Sequence, residues 1–314
     1  FLELLDLAEE ELTSPDCDLV EDATTAQVGD LLPGGLLVER RLGQGSSAVA
    51  LLVSRGNGDD REDLILKVAS SPEHNDRVRA EAAVLKKLND DRDSRVVSLV
   101  EPLDIGTAAA FLMRPIFVDR SQRRIETLGA RLRKEGRLHV DLLQRFGEDL
   151  IGVAAHLDRL GITHRDIKPD NIAVGLSSHE SQLQIVLFDF SLVSVPQENI
   201  HAGTTGYLDP LLRLRQPTPR FDNYAERYAV AMTLHEMATG TLPKWGDGRS
   251  DPSLLDELEI TIDPDLFDVG LRERLTVFFR RAFRRSLAER FDNAEQMLAE
   301  WRACFHELSV GPVV

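Results

Sequence analysis

Between His164 and Asn171 the sequence reads HRDIKPDN, which sets two carboxylates, two permanent cations and an amide close together. A solvated turn needs no such set. Asp166 can orient a hydroxyl nucleophile and accept its proton, and Lys168 can neutralise a phosphoryl group in transfer. Asn171 offers a neutral oxygen to a divalent cation. Asp189 closes the apolar run LQIVLFDF, where a carboxylate is either a turn cap or a metal ligand. Hard oxygen donors of this kind suit Mg²⁺ bridging phosphates.

Upstream, Lys67 lies inside the apolar string LILKVA, and an unpaired ammonium is costly to bury there. Glu81, which opens EAAVLKKL, is the natural partner, and the pair would hold the ammonium within reach of a nucleotide's phosphates. The alternative is a lysine snorkelling from an edge strand. GQGSSA, with Gly43 and Gly45, lies between two strand-like strings, so its backbone N–H groups can close over phosphate oxygens. An ordinary hairpin turn has the same look, and this motif alone decides nothing.

The elements that must position these groups fall into two regions. From Gly35 to Pro115 the chain alternates apolar and polar residues in strand-length runs around Gly-containing turns. One helix interrupts them, DRVRAEAAVLKKL, with Val78, Ala82, Leu85 and Leu88 on one face. This predicts a small antiparallel sheet with one helix. After Pro115 helices dominate. Leu142, Phe146, Leu150, Val153, Leu157 and Leu160 make one apolar stripe, and AERYAVAMTLHEMA is apolar nearly all round, the mark of a buried central helix. LRERLTVFFRRAFRR and NAEQMLAEWRACF are amphipathic and close the chain. The first 33 residues are acidic and read as a lead or linker, with an amphipathic turn or two in its first dozen; residues 308–314 read as a tail.

Bulk properties exclude several function classes. The formal charge of −16 argues against a nucleic-acid binder, because phosphate backbones reward Lys and Arg. No apolar run approaches the roughly 18 residues needed to span a membrane. Cys17 and Cys304 fit neither a disulfide framework nor a zinc site, which suits a reducing, cytoplasmic compartment. Phe1 in place of Met suggests a piece of a longer polypeptide, with other domains as partners.

In this order, the Gly-rich turn, Lys67, Glu81, HRDIKPDN and the DF of Asp189–Phe190 resemble the protein-kinase signature set over about residues 35–307. The resemblance implies an α+β, bilobal protein-kinase fold: a β-rich N-lobe (34–114) and a helical C-lobe (115–307), with an ATP cleft between them and a hinge near Arg114–Phe117. It implies that Lys67, paired with Glu81, contacts the α/β-phosphates, that Asp166 is the catalytic base and that Lys168 contacts the γ-phosphate. Asn171 and Asp189 would be the ligands of Mg²⁺, with Mn²⁺ as an alternative ion. Gly43, Gly45, Ala50, Ile65, Met113 at the gatekeeper position and Ala173 would surround the nucleotide. GTTGY (Gly203–Tyr207) resembles the end of an activation segment, where Thr204 would hydrogen-bond the catalytic Asp and Lys. Arg165 implies control by phosphorylation of that segment, for which Ser194, Thr204 and Thr205 are the available hydroxyls. The implied activity is Mg-ATP-dependent transfer to serine or threonine of protein substrates, the chain itself among them.

Five features depart from that pattern. Ala48 replaces the third glycine of the phosphate loop. Ser191 stands where the motif has a glycine, which removes easy access to φ > 0 and predicts that Phe190 stays in an active-like position. Leu211 stands where a Glu is expected, so either Asp209 takes over its pairing with Arg290 or another anchor is used. Glu226 replaces an Asp that normally holds the catalytic loop. Ala50, Ala173 and Ile65 resize the adenine site. On these departures the alternative is a nucleotide-binding pseudokinase serving as a scaffold module. The strings LFDFSL, AGTTGYLDP, AERYAVAMTLHEMATGTLPKWGDG and RRAFRRSLAERFD further resemble the kinase region of bacterial phage-growth-limitation (Pgl/BREX) defence kinases. Two weaker signals are Arg280, Arg281, Arg284 and Arg285, expected as one solvated helix face, and the loop around Trp245, expected to meet substrate or a neighbouring domain.

Overall fold

The computed structural model describes residues 20–90, 93–176 and 182–306. They form two compact units. One runs to Ala82 and adds Leu99–Pro115; the other contains Ala83–Ser98 and the chain from Ile116 onward.

In the first unit six strands make one antiparallel sheet. They are β1 (Leu31–Leu32), β2 (Leu36–Gln44), β3 (Ala48–Arg55), β4 (Glu62–Ala69), β5 (Leu99–Ile105) and β6 (Ala108–Met113), in the order β1-β2-β3-β4-β6-β5. Side chains alternate along a strand, so the register settles both faces. Val49, Leu51, Val53, Leu64, Leu66, Val68, Ala110 and Leu112 enter one apolar core. Ala50 pairs with Lys67, Lys67 with Phe111, Leu52 with Ile65 and Ile65 with Met113, which puts these six on the opposite face. The helix α1 (Asn75–Asp90) buries Val78, Ala82, Leu85 and Leu88, as its spacing predicts.

The lead differs from its reading as a linker. Ala23, Ala26 and Leu32 are buried in the sheet core, and β1 extends the sheet beside β2. Arg41 clamps this stretch by donating to the Ala26 carbonyl at 2.6 Å and the Thr24 carbonyl at 3.0 Å. Three small or aliphatic side chains at irregular spacing bury well but give no periodic signal. The expected amphipathic start, Cys17 and the tail lie outside the described residues.

The second unit holds β7 (Glu126–Thr127), α2 (Leu128–Glu135), α3 (Val140–Leu160), β8 (Ile172–Leu176), β9 (Leu183–Leu187) and α4 (Asn223–Thr239). β10 (Lys244–Trp245), β11 (Ile260–Thr261), α5 (Arg272–Ala282) and α6 (Ala294–Phe305) follow. α3 buries Leu143, Phe146, Leu150, Val153 and Leu157, so the stripe runs through Leu143 and leaves Leu142 and Leu160 partly exposed. Gly147 on α3 is set by packing: a Cβ there would lie 2.3 Å from the Trp301 ring of α6. α4 is buried on every side from Ala225 to His235, as an all-round apolar helix must be. Among the described residues no helix is long and apolar enough to cross a membrane.

The arginine run does not form one solvated helix face. α5 stops at Ala282, and Arg284 and Arg285 lie beyond it. Arg285 turns inward to the carbonyls of Leu258 (3.1 Å) and Pro252 (2.9 Å), while Arg281 lies over Phe291 and pairs with Glu300. Trp245 is likewise an internal anchor, 8% exposed with its Nε1 donating to the Tyr228 hydroxyl at 3.0 Å.

Candidate active site

Lys67 sits on the non-core face of β4, and its Nζ donates to both Glu81 oxygens at 2.8 and 2.7 Å. Both are nearly buried, with the side chains 11% and 2% exposed, so each supplies the partner the other needs. Ala50, Ile65 and Met113 share that face. The β2–β3 hairpin closes through the Gly45 N–H on the Ala48 carbonyl at 2.9 Å, and Gly43 pairs with Ala50. A Cβ at Gly43 would meet nothing within 4 Å, so packing inside the protein does not require this glycine.

In the second unit, β8 and β9 form a hairpin in which Ile172 pairs with Leu187. This register brings Asn171 and the Phe188–Asp189 step to the same end of the ladder, and the Phe188 N–H donates to the Asn171 carbonyl at 3.1 Å. Ala173 is buried one residue inside β8. Asp166 is the hub of the loop. Its Oδ1 accepts from the Thr204 hydroxyl at 2.6 Å, and its Oδ2 accepts from Lys168 Nζ at 2.8 Å and Asn171 Nδ2 at 2.9 Å. Lys168 also donates to Thr204 Oγ1 at 2.6 Å, so one hydroxyl ties acid and base together.

His164 has no exposed surface and bridges the loop to the β9 exit. The Asp166 N–H reaches Nδ1 at 3.3 Å and Nε2 meets the Phe188 carbonyl at 2.9 Å. A main-chain donor on one nitrogen and a carbonyl on the other fix the neutral tautomer protonated at Nε2. Phe190 packs edge-on against His164 with ring centroids 4.6 Å apart and is fully buried. Arg165 and Asp189 adopt φ values of 70° and 66°, left-handed backbone that non-glycine residues seldom take. Strain of this kind persists only where surrounding contacts over-determine it.

Those contacts are visible for Arg165. The Glu226 carboxylate, at the start of α4, accepts the His164 N–H at 2.5 Å and the Arg165 N–H at 3.0 Å. Burial pushes the Glu226 carboxyl up to about 7, although the two N–H donors favour its charged form. The longer side chain thus makes both main-chain bonds, and the loop accommodates the extra methylene.

Asp209 settles the question raised by Leu211. Its Oδ2 accepts from Arg290 Nη1 and Arg215 Nη2, each at 2.6 Å, and its Oδ1 takes the Leu211 N–H at 3.0 Å. Burial alone would raise this carboxyl, but the charges of Arg290 and Arg215 outweigh it and hold it below the ordinary range. Leu211 is buried as an apolar side chain. Arg215 also reaches Asp222, the N-cap of α4, at 2.8 Å. Sequence reasoning missed Arg215 and Phe221, and also the contact between the Tyr207 hydroxyl and Glu236. The one available signal was the dense LRLR string after Leu211.

Among the described residues no group of three or more His, Cys, Asp or Glu side chains could hold a metal unaided. Asn171 and Asp189 supply one neutral and one anionic oxygen, which fits an Mg²⁺ that shares its coordination with phosphates and water.

The family comparison agrees with this geometry. The description "Protein kinase domain" matches residues 36–286. The chain belongs to the protein kinase family. It is 38% identical to a probable kinase PglW of Streptomyces coelicolor over 98% of its own length and 22% of that protein's. It is 29% identical to ribosomal protein S6 kinase alpha-6 of Mus musculus over 67% of its length and 26% of the other's. The chain therefore spans about a quarter or less of these two curated relatives. In fold it is similar to a double mutant of the Mycobacterium tuberculosis PknI kinase domain, with a TM-score of 0.58 at 18% identity, covering 89% of this chain and 98% of that one. With these kinases the chain shares the protein-kinase fold.

Proposed function

We propose that this kinase domain transfers the γ-phosphate of ATP, in a Mg²⁺-dependent reaction, to serine or threonine hydroxyls of proteins. The observation that carries the reading is the Asp166 carboxylate, held from both oxygens by Lys168, Asn171 and Thr204. Three donors fix its plane, and Lys168 leans on it where it can follow charge onto the transferring group. Asp166 orients the acceptor hydroxyl and takes its proton as the oxygen attacks phosphorus. Lys67, held by Glu81, contacts the α/β-phosphates; Gly43, Gly45, Ala50, Ile65, Met113 and Ala173 contact the nucleotide. Asn171 and Asp189 would hold Mg²⁺, which would supply neutralisation of phosphate charge. Thr204 positions Asp166 and Lys168 and is not an acceptor.

Glu226 and Asp209 each make the contacts their positions call for, which supports an enzyme over a scaffold. The similarity to the probable kinase PglW supports the reading that the chain works within a longer bacterial protein. Its activity there includes autophosphorylation and serves anti-phage defence from the cytoplasm, with other domains of that chain as partners. Comparing Mg-ATP turnover by wild type and Asp166→Asn tests the reading: turnover in wild type alone supports it, and equal background in both rejects it.

A further inference from the structure

Arg165 follows His164 on the strained backbone that Glu226 supports, and it is 2% exposed. Among the described residues, every hydrogen bond of its guanidinium goes to a main-chain carbonyl. Nη1 donates to Val195 at 2.5 Å and Pro196 at 3.1 Å, and Nη2 donates to Asn199 at 2.8 Å. The Phe221 ring lies beneath the cation, 5.0 Å from its central carbon. Phe221 also binds the segment that carries those carbonyls, since its N–H donates to the Gln197 carbonyl at 2.8 Å. Its ring is buried in a cluster with Leu212 and Ala225, against which Ile200 and Leu208 pack. Phe221 therefore supports Arg165 with its ring and the segment with its main-chain N–H, and the cluster it belongs to takes up Ile200 and Leu208.

This arrangement leaves little for a phosphate to do. Between Asp189 and Pro210 the sequence contains no Lys or Arg. The Thr204 hydroxyl is held by Asp166 and Lys168, and the Tyr207 hydroxyl by Glu236. Ser194 and Thr205 are exposed. A phosphate on either that sought Arg165 would have to displace three carbonyls from a buried guanidinium. It would also approach Glu198 in the segment and Glu226 on α4, the two carboxylates that act on Arg165. The Nε–H is buried without a hydrogen-bond partner among the described residues; the carbonyls and the aromatic face hold the guanidinium through its two Nη groups, without an anion.

We propose that Phe221, with the carbonyls of Val195, Pro196 and Asn199, locks Arg165 and the 189–210 segment without phosphate, so that transfer does not wait for phosphorylation of Ser194 or Thr205. This reverses the control expected from Arg165 in the sequence, and it rests on Asp166 as catalytic base. Phe221 acts through Arg165 and is a positioning residue.

The test begins with protein treated with a phosphatase until peptide mass spectrometry finds no phosphate on residues 189–210. Its initial rate with Mg-ATP and casein is expected within about twofold of untreated protein and without a lag, whereas Phe221→Ala lowers kcat about tenfold at unchanged KM for ATP and Phe221→Tyr restores it. A lag that tracks phosphate incorporation, or a tenfold loss on dephosphorylation, overturns the proposal. Hydrogen exchange on the same phosphate-free protein decides the matter without activity. Slow exchange of the hydrogen-bonded amides of Phe221, Val195, Asn199 and Ile200 is expected, and fast exchange there overturns the lock. If untreated protein transfers nothing, the reading of Asp166 fails, and the exchange result still judges the lock.

Discussion

The HRDIKPDN loop and the ion cluster around Asp209 belong to the same unit, and each centres on a carboxylate that accepts from at least one cation. They are built to different ends. Asp166 keeps partial exposure, its side chain 15% accessible, and its partners are one lysine, one amide and one hydroxyl, each able to shift as a proton arrives. Asp209 has no side-chain exposure and is closed by two buried guanidiniums and a main-chain N–H. On the proposed reading the first changes charge during a reaction, and the second keeps it. An anchor of the second kind can be exchanged for another that makes the same number of bonds, so on the proposed reading Leu211 and Glu226 leave the chemistry in place. A reacting group allows no such exchange.

The largest effect that would sharpen this contrast is in stability. Replacing Asp209 with Ala leaves Arg290 and Arg215 buried without their anion, and such a loss costs about 3–5 kcal/mol. Urea denaturation should show that loss as a lower midpoint; a midpoint equal to that of wild type would mean the cluster anchors nothing. Asp166→Asn should leave the midpoint nearly unchanged, because the partially exposed loop keeps most of its hydrogen bonds.

Next comes the pair in the first unit. Lys67→Met removes a charge aimed at phosphates and leaves Glu81 buried, so kcat/KM should fall about 100-fold, the scale for losing one preorganised electrostatic contact. Steady-state kinetics with varied ATP measures this, and a fall below tenfold would demote Lys67 to a structural role.

Glu226 gives a smaller, pH-dependent effect. Its folded-state pKa of about 7 lies above the ordinary value of 4.5, so the folded chain binds this proton more tightly than the unfolded chain does. The resulting stabilisation is fully present below about pH 4.5 and is lost as pH rises through about 7. Glu226→Gln should abolish that decline in a series of denaturation curves between those limits, and an unchanged slope would show that another group titrates. Glu226→Asp, one methylene shorter, should reach the His164 and Arg165 N–H groups less well and lower kcat. A more active Asp variant would mean that Glu226 impairs the loop.

How much of this was legible in the sequence follows the same division. The groups proposed to react were readable because such chemistry restricts their identity: Asp166, Lys168 and Asn171 lie within six residues, and Lys67 interrupts an apolar strand. The strand alternation and the all-round apolar α4 gave the elements, since burial imposes their periods. The supports were not readable. Phe221 looks like any core aromatic until its ring is placed under Arg165, and Arg215 reaches Asp209 through a turn that carries no period. The stretch of lead from Val20 to Leu32 escaped for the same reason, its buried residues being few and unevenly spaced. The arginines around α5 misled because the helix ends at Ala282, halfway through a pattern that reads as one face.

An intact loop around Asp166 on exchanged anchors should still transfer phosphate. Intact-mass spectrometry of the chain after incubation with Mg-ATP tests it most directly, with Asp166→Asn alongside. Mass increments of whole phosphoryl groups are expected on wild type, or on an added protein acceptor, and none with Asp166→Asn. No increment on chain or acceptor with wild type, or equal increments with the Asn variant, would contradict it.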